Sequence, residues 1–147
     1  MHGEELNADI INDLLVLLTQ FTLQRRNVLT RNLRRMNDPS FVPCDLAVED
    51  FSDILNAAIT EYVVNHRLLL RDTEAIHFGP QATVRLEPLP DHHGQQLRTQ
   101  CKADYIQYQL DKLAENALNE RLALKLLSIK QNRGLPVDDC VSFKKLA

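Results

Sequence analysis

The chain has 147 residues and a mass of 16.9 kDa, and 44% of its residues are apolar and 25% charged. This is the size and composition of one folded domain, and 4 glycines and 6 prolines exclude a collagen-like or low-complexity chain. A formal net charge of -3 gives no general reason to expect a nucleic acid or a membrane as partner. We therefore expect a single helical domain over residues 1–147.

The sequence features that report on compartment favour the cytoplasm. The first five residues hold two glutamates and lack the basic segment that begins a signal peptide. The longest apolar run covers only residues 14–18, whereas about 20 residues are needed to cross a bilayer. Three widely spaced cysteines are present, Cys44, Cys101 and Cys140. Because their number is odd and no C-x-x-C pair occurs, we expect reduced thiols in a cytoplasmic protein that does not contact a membrane.

The first predicted helix spans residues 5–36. Asp9 and Asp13 suit the positive N-terminal end of a helix, and the arginines near residue 35 suit its negative C-terminal end. Pro39 ends the helix, because proline disfavours the helical conformation in the residue before it.

The second predicted helix spans residues 46–72 and follows Asp45, a residue type favoured at helix N-caps. Mostly apolar residues recur every three or four positions and so share one side of this helix: Val48, Phe51, Leu55, Ala58, Tyr62, Asn65 and Leu69. This spacing predicts an amphipathic helix with Asn65 as the one polar member of its apolar side.

A β-hairpin is predicted over residues 75–87, between the second and third helices. Ile76 and Phe78 alternate with less apolar residues before Gly79-Pro80, and Val84 and Leu86 alternate with polar residues after it. An isolated hairpin is only marginally stable in water. We therefore expect this one to pack on the helices or to pair with another chain.

The third predicted helix spans residues 95–133, where Gly134 ends it, and a short tail follows over residues 134–147. A heptad-like row of mostly apolar residues runs along this helix: Ile106, Leu110, Leu113, Ala117, Glu120, Leu124 and Leu127. Such a row predicts the side of the helix that is buried.

Together these elements predict a mostly α fold, an antiparallel bundle of three long helices with one hairpin. Two helices exceed 30 residues and carry apolar residues around more than half their circumference, more than a thin three-helix bundle buries. The sequence therefore predicts a homodimer, with the first and third helices as the self-association surface. A monomeric bundle with bent or broken helices is the alternative.

Five arginines and no acidic residue lie between residues 24 and 35, whereas residues 1–23 carry four acidic residues. The arginines are Arg25, Arg26, Arg31, Arg34 and Arg35. In one interpretation they stabilise the end of the first helix and pair with acids such as Asp45 in the second. In the other they form a ridge that binds an acidic protein or a nucleic acid.

Catalytic and metal-binding patterns are weak. Asp91, His92 and His93 are the best metal candidates, but their spacing matches no zinc or di-iron pattern, and a solvated loop explains them better. No phosphate loop, nucleophile elbow or His-Glu-x-x-His motif is present. We therefore expect no cofactor and no enzymatic activity, with a metal-assisted hydrolase as the remaining catalytic alternative.

The apolar helical surface favours a non-catalytic cytoplasmic adaptor, assembly or regulatory protein that acts through protein–protein contacts. Its expected partners are itself and an unidentified protein. The alternative is a nucleic-acid-binding protein that uses the arginine ridge.

Overall fold

The computed structural model describes residues 2–133 and the side chains of residues 9–129. Within that range the chain forms four helices and two small antiparallel sheets of two strands each. In chain order the elements are α1 (His2–Arg34), β1 (Cys44–Asp45), α2 (Val48–Asn65), β2 (Ile76–Gly79), β3 (Thr83–Leu86), β4 (Leu89–Pro90), α3 (His92–Gln100) and α4 (Lys102–Arg133). The prediction of a mostly helical chain is confirmed, and the predicted tail at 134–147 lies outside the described residues.

The first helix agrees with its prediction within three residues at each end. After α1 the chain turns around Asp38, whose carboxylate accepts hydrogen bonds from the backbone N–H and the hydroxyl of Ser40 and from Arg35. These bonds hold the pKa of Asp38 down at about 2. The turn then directs Phe41 into a buried position.

The second helix is shorter than predicted. It ends at Asn65 because His66 adopts the left-handed conformation, with φ 55° and ψ 35°, and donates its N–H to the carbonyl of Tyr62. The apolar spacing predicts its buried side correctly over the first three turns, where Val48, Phe51, Leu55 and Ala58 are buried. Asp45 does not cap this helix, because it belongs to β1 and Ala47 precedes the helix without a side-chain cap.

The predicted hairpin is confirmed as β2 and β3, with Phe78 opposite Val84. It packs on the helices rather than standing free. The Phe78 ring stacks on Phe51 of α2 at 6.3 Å between centroids. The side-chain amide of Gln20 in α1 accepts from the N–H of Val84 and donates to the carbonyl of Ala82, as a neighbouring strand would.

A second, unpredicted sheet joins β1 to β4, with Cys44 opposite Pro90 and Asp45 opposite Leu89. The side-chain amide of Asn32 holds β1 on α1, because it accepts from the N–H of Cys44 at 3.0 Å and donates to its carbonyl at 2.7 Å. The two ends of the segment 46–88 therefore lie together, at the β1–β4 pair beside α1.

The predicted third helix is in fact two helices. Cys101 has an extended backbone, with φ -154° and ψ 106°, and separates α3 from α4. Arg98 of α3 donates to the backbone carbonyls of Asp38 and Phe41, so α3 is anchored on the turn that follows α1. The break contains no proline or glycine, and this is why the residue pattern did not predict it.

The core lies where α1, α2 and the hairpin meet. Phe21 of α1 stacks on Phe51 of α2 at 4.2 Å between ring centroids, and Leu17, Leu55 and Ile76 are fully buried around them. Burial of each such side chain stabilises the fold by about 1.5–3 kcal/mol. No helix within residues 2–133 is long and apolar enough to cross a membrane.

Candidate interaction surface

Buried polar side chains contribute to the contact between α1 and α4, beside buried apolar residues of α4 such as Ala123 and Leu127. The Tyr105 hydroxyl donates to the carbonyl of Asn32 at 2.8 Å, and the Asn32 side chain donates to Gln109 at 3.1 Å. Further along, the Asn116 side chain donates to the carbonyl of Thr22 at 2.7 Å. All of these side chains are buried, so α4 packs its polar side against α1.

The same bonds fix how the two helices lie. Asn32 near the end of α1 contacts Gln109 in the first part of α4, whereas Thr22 contacts Asn116 farther along α4. The helices are therefore antiparallel, and this register places Leu23 of α1 about level with Ala117 of α4.

The row predicted to be buried on this helix lies at the edge of the buried side: Leu110, Ala117 and Leu124 are exposed, Ile106, Leu113 and Glu120 are half-buried, and Leu127 is buried. Leu110 is 46% exposed and Leu124 is 48% exposed, Ala117 between them is also exposed, and of the predicted row only Leu127 is buried. The prediction is wrong for Leu110, Ala117 and Leu124, because Gln109 and Asn116 are turned toward α1 instead.

Leu23 of α1 is 42% exposed and extends this apolar surface onto the neighbouring helix. The ion pair of Arg26 with Glu120, at 3.1 Å, bridges the helices on this side, since Arg26 is three residues from Leu23 and Glu120 is three residues from Ala117. We call the surface formed by Leu23, Leu110, Ala117 and Leu124 the α1–α4 face.

The five predicted arginines do not share one environment. Arg25 is 3% exposed and binds Asp45, whereas Arg26 pairs with Glu120. Arg35 pairs with Asp38, and its guanidinium lies 4.9 Å from the centre of the Phe41 ring.

Arg31 and Arg34 differ from the other three. Both are exposed, and neither forms a salt bridge with any described residue. Of the predicted ridge, these two guanidinium groups are the ones that remain open to a ligand.

Beneath the surface lies a charged cluster that joins four elements. Arg25 of α1 binds Asp45 of β1 with two hydrogen bonds of 3.0 Å. The ammonium of Lys112 in α4 lies 2.9 Å from Asp45 and 3.2 Å from Asp91, which precedes α3. The Tyr108 hydroxyl donates to the same Asp91 carboxylate at 2.9 Å. The cluster thus ties α1, β1, the start of α3 and α4 together.

The electrostatics of the cluster keep its members charged. Burial alone would raise the pKa of Asp91, but the N–H of Gly94, the charge of Lys112 and the hydroxyl of Tyr108 together hold that pKa below its ordinary value. Burial likewise opposes the charge of Lys112, yet Asp45, Tyr108 and Asp91 raise its pKa. Both groups therefore stay ionised at neutral pH.

The predicted metal candidates have other contacts. The carboxylate of Asp91 caps α3 through the N–H of Gly94 and is held by Tyr108 and Lys112. His92 and His93 are exposed, and the His93 ring packs edge-on against Tyr108 at 5.2 Å. Within residues 2–133, no three His, Cys, Asp or Glu side chains are placed to hold a metal ion together.

Sequence reasoning missed the polar residues that position these elements, above all Asn32, Lys112 and Asn116. A signal for them exists in α4, where Tyr105, Gln109, Lys112 and Asn116 recur at spacings of four, three and four. This is also a heptad spacing, but because its members are polar, apolar periodicity does not reveal it.

Comparisons of this chain with protein-family models, with curated proteins and with solved structures find no match. Function is therefore inferred from the side chains on and beneath the α1–α4 face.

Proposed function

We propose that this chain is a non-catalytic cytoplasmic adaptor, assembly or regulatory protein that acts through protein–protein contacts made by the α1–α4 face. One observation carries the proposal: α4 turns Gln109 and Asn116 toward α1 and leaves Leu110 and Leu124 about half exposed. Burial of a leucine side chain is worth about 1.5–3 kcal/mol, whereas a buried hydrogen bond contributes about 1 kcal/mol net. Leu110 and Leu124 are therefore apolar surface that a partner can bury, beside Leu23 of α1, while Leu118 and Leu122 are exposed on another side of α4.

The polar contact between α1 and α4 supports the same proposal. Buried amides tolerate few alternative alignments, because each would lose its partner and be left unsatisfied. Asn32 and Asn116 therefore hold the helix pair in one register, and this rigid pair presents its leucines in fixed positions. Preorganisation of this kind lowers the entropic cost of binding a partner.

Two further observations agree with the proposal. Cys44 and Cys101 are free thiols, which agrees with a reducing cytoplasm. Asp91, the acidic member of the predicted metal triad, is engaged by Gly94 and Lys112 and contributes to structure, which disfavours the metal-assisted alternative at this triad.

The test is capture of partners from the native cytosol with the tagged chain after nuclease treatment, quantified by mass spectrometry. Leu110→Glu and Leu124→Glu place charges on the α1–α4 face, and we expect each to abolish near-stoichiometric capture. Leu118→Glu is the matched control, because Leu118 is 66% exposed on the same helix but is turned away from the face.

Capture that survives both face variants, or that Leu118→Glu abolishes equally, contradicts the proposal. Circular dichroism of the three variants confirms that each keeps its helices.

The second candidate function is nucleic-acid binding, and the observation that favours it is the pair of exposed guanidinium groups at Arg31 and Arg34. They lie one turn apart, without salt bridges to the described residues. This function predicts binding to duplex DNA or single-stranded RNA that weakens steeply between about 50 and 200 mM salt.

Fluorescence anisotropy with labelled oligonucleotides tests this candidate. Arg31→Glu with Arg34→Glu should abolish the signal, whereas Arg85→Glu, an exposed arginine on β3, should not. Binding that is absent at low salt, or insensitive to salt, removes the candidate.

A further inference from the structure

We infer that the partner of the α1–α4 face is a second copy of this chain, related by a two-fold axis that lies across the face beside Leu23 and Ala117. The inference rests on the proposed function, because it names the partner of the same surface. It is carried by a symmetry in the order of residues along both helices.

On α4 the symmetry is in the apolar residues. Leu110 and Leu124 lie seven residues before and seven residues after Ala117, and the three side chains are exposed on one side of the helix. If two copies of α4 pack antiparallel with Ala117 opposite Ala117, each Leu110 lies opposite the partner's Leu124. The small side chain at the centre allows the helix axes to approach within about 8–10 Å.

On α1 the symmetry is in the charges. Asp13 lies ten residues before Leu23 and Arg34 lies eleven residues after it. If two copies of α1 pack antiparallel with Leu23 opposite Leu23, each Arg34 comes level with the partner's Asp13. At about 100° per residue, Arg34 and Asp9 lie within about 40° of Leu23 around α1, whereas Arg31 and Asp13 are turned from it by about 80°.

These charges are available for such contacts. Asp9 and Arg34 are exposed and Asp13 is half-buried, and none of the three forms a salt bridge with a described residue. The acidic half of α1 therefore meets the basic half of the partner's α1, and the two pairings are identical by symmetry. This is the charge complementarity that a self-complementary interface requires.

The two centres coincide in space. The bonds from Asn116 to Thr22 and from Asn32 to Gln109 place Leu23 and Ala117 at about the same height along the helix pair. One axis perpendicular to the helices thus satisfies the apolar symmetry of α4 and the charge symmetry of α1 together. Heptad spacing and the helix dipole each favour one of these patterns separately, and a second copy lets both contribute to one contact.

The test combines sedimentation with disulfide cross-linking in a chain whose three native cysteines are replaced by serine. Sedimentation equilibrium should give twice the chain mass of 16.9 kDa. Ala117→Cys should cross-link to its own copy under mild oxidation, because it lies on the axis. Leu118→Cys is the control and should stay uncross-linked, since it is one residue away but turned by about 100°.

A mixing experiment tests the antiparallel order. Leu110→Cys alone should give little cross-linked dimer, whereas Leu110→Cys mixed with Leu124→Cys should cross-link efficiently. Efficient cross-linking of Leu110→Cys to itself overturns the arrangement, and so does sedimentation as a monomer at micromolar concentration.

A charge exchange gives an independent readout. Asp13→Arg should weaken the dimer about tenfold, because it places like charges together twice. Addition of Arg34→Asp to that variant should restore the affinity. If the double variant is as weak as the single one, the pairing of these two residues is refuted.

The outcomes separate this inference from the proposed function. A monomer that still captures another protein through Leu110 and Leu124 refutes the inference and leaves the proposed function in place. A dimer with the expected cross-links and no captured protein supports the inference and refutes the adaptor role.

Discussion

The guanidinium of Arg25 and the carboxylate of Asp45 form two hydrogen bonds of 3.0 Å, and the Arg25 side chain is almost wholly buried. This geometry buries Arg25, whereas the other arginines between residues 24 and 35 are exposed. Asp45 also binds the half-buried Lys112, so one carboxylate compensates two cations. The cost of burying these charges is offset only while all three groups are present.

Removal of that carboxylate should destabilise the fold strongly. Asp45→Ala leaves Arg25 and Lys112 with less compensation in a buried site, and we expect a loss of about 3–5 kcal/mol in the free energy of unfolding. Urea unfolding followed by circular dichroism measures the loss. Arg26→Ala is the control, because it breaks the more exposed pair with Glu120 and should cost about 0–1 kcal/mol. Equal losses in the two variants would show that the buried cluster has no special role.

Stability should fall as the solution is acidified below about pH 4. The pKa of Asp91 is held below its ordinary value in the folded chain, and that of Asp38 is lowered to about 2. A carboxyl with a depressed folded pKa contributes stability above its unfolded pKa of about 3.9 and loses it as the pH falls through the folded pKa. Urea midpoints should therefore fall between about pH 5 and pH 2. Asp91→Asn, which keeps a capping side chain, should fall less steeply, and an unchanged slope would contradict this assignment.

Replacement of His66 by glycine should stabilise the chain. His66 holds a left-handed backbone conformation with φ 55°, which costs a residue with a Cβ about 1–2 kcal/mol. Glycine removes that cost but is more flexible when unfolded, so we expect a net gain of about 0.5–1 kcal/mol. Thermal unfolding measures the gain. Asn65→Gly is the neighbouring control, since position 65 is helical and glycine there should lower stability.

The thiols of Cys44 and Cys101 should differ in reactivity. Cys101 is exposed at the break between α3 and α4, whereas Cys44 is half-buried. Burial raises the pKa of the Cys44 thiol, and the charge of Arg31 opposes this only in part. In a Cys140→Ser chain, a thiol-specific reagent should label one group quickly and one slowly. Cys101→Ser should remove the fast phase, and loss of the slow phase instead would contradict the prediction.

The sequence predicts an element well where the apolar residues on one side of that element are the ones that become buried. Val48, Phe51 and Leu55 recur on one side of α2, and the prediction of the buried side is confirmed over the first three turns. The hairpin was also predictable, because its alternation lies on both sides of Gly79-Pro80.

In α4 two heptad rows run side by side, and hydrophobicity selects the wrong one. Leu110 and Ala117 belong to the apolar row, whereas Gln109 and Asn116 belong to the polar row that is buried. Asn116 donates to the carbonyl of Thr22 and Gln109 accepts from Asn32, although the amide nitrogen of Gln109 has no partner among the described residues. A single helix read in isolation does not contain this information. The break at Cys101 has the same kind of cause, since Arg98 anchors α3 on a turn about 60 residues earlier in the chain.

The pairing of β1 with β4 holds the two ends of residues 46–88 together, so that this segment leaves and returns to the same strand pair. Cys44 and Asp45 lie beside Leu89 and Pro90, and Asn32 anchors this strand pair to α1. An insertion or deletion within residues 46–88 changes the length of this segment but not the distance between its two ends. The register of α1 and α4 is therefore independent of the length of loops such as residues 66–75, whereas α2 and the hairpin are held in place by the core that they form with α1.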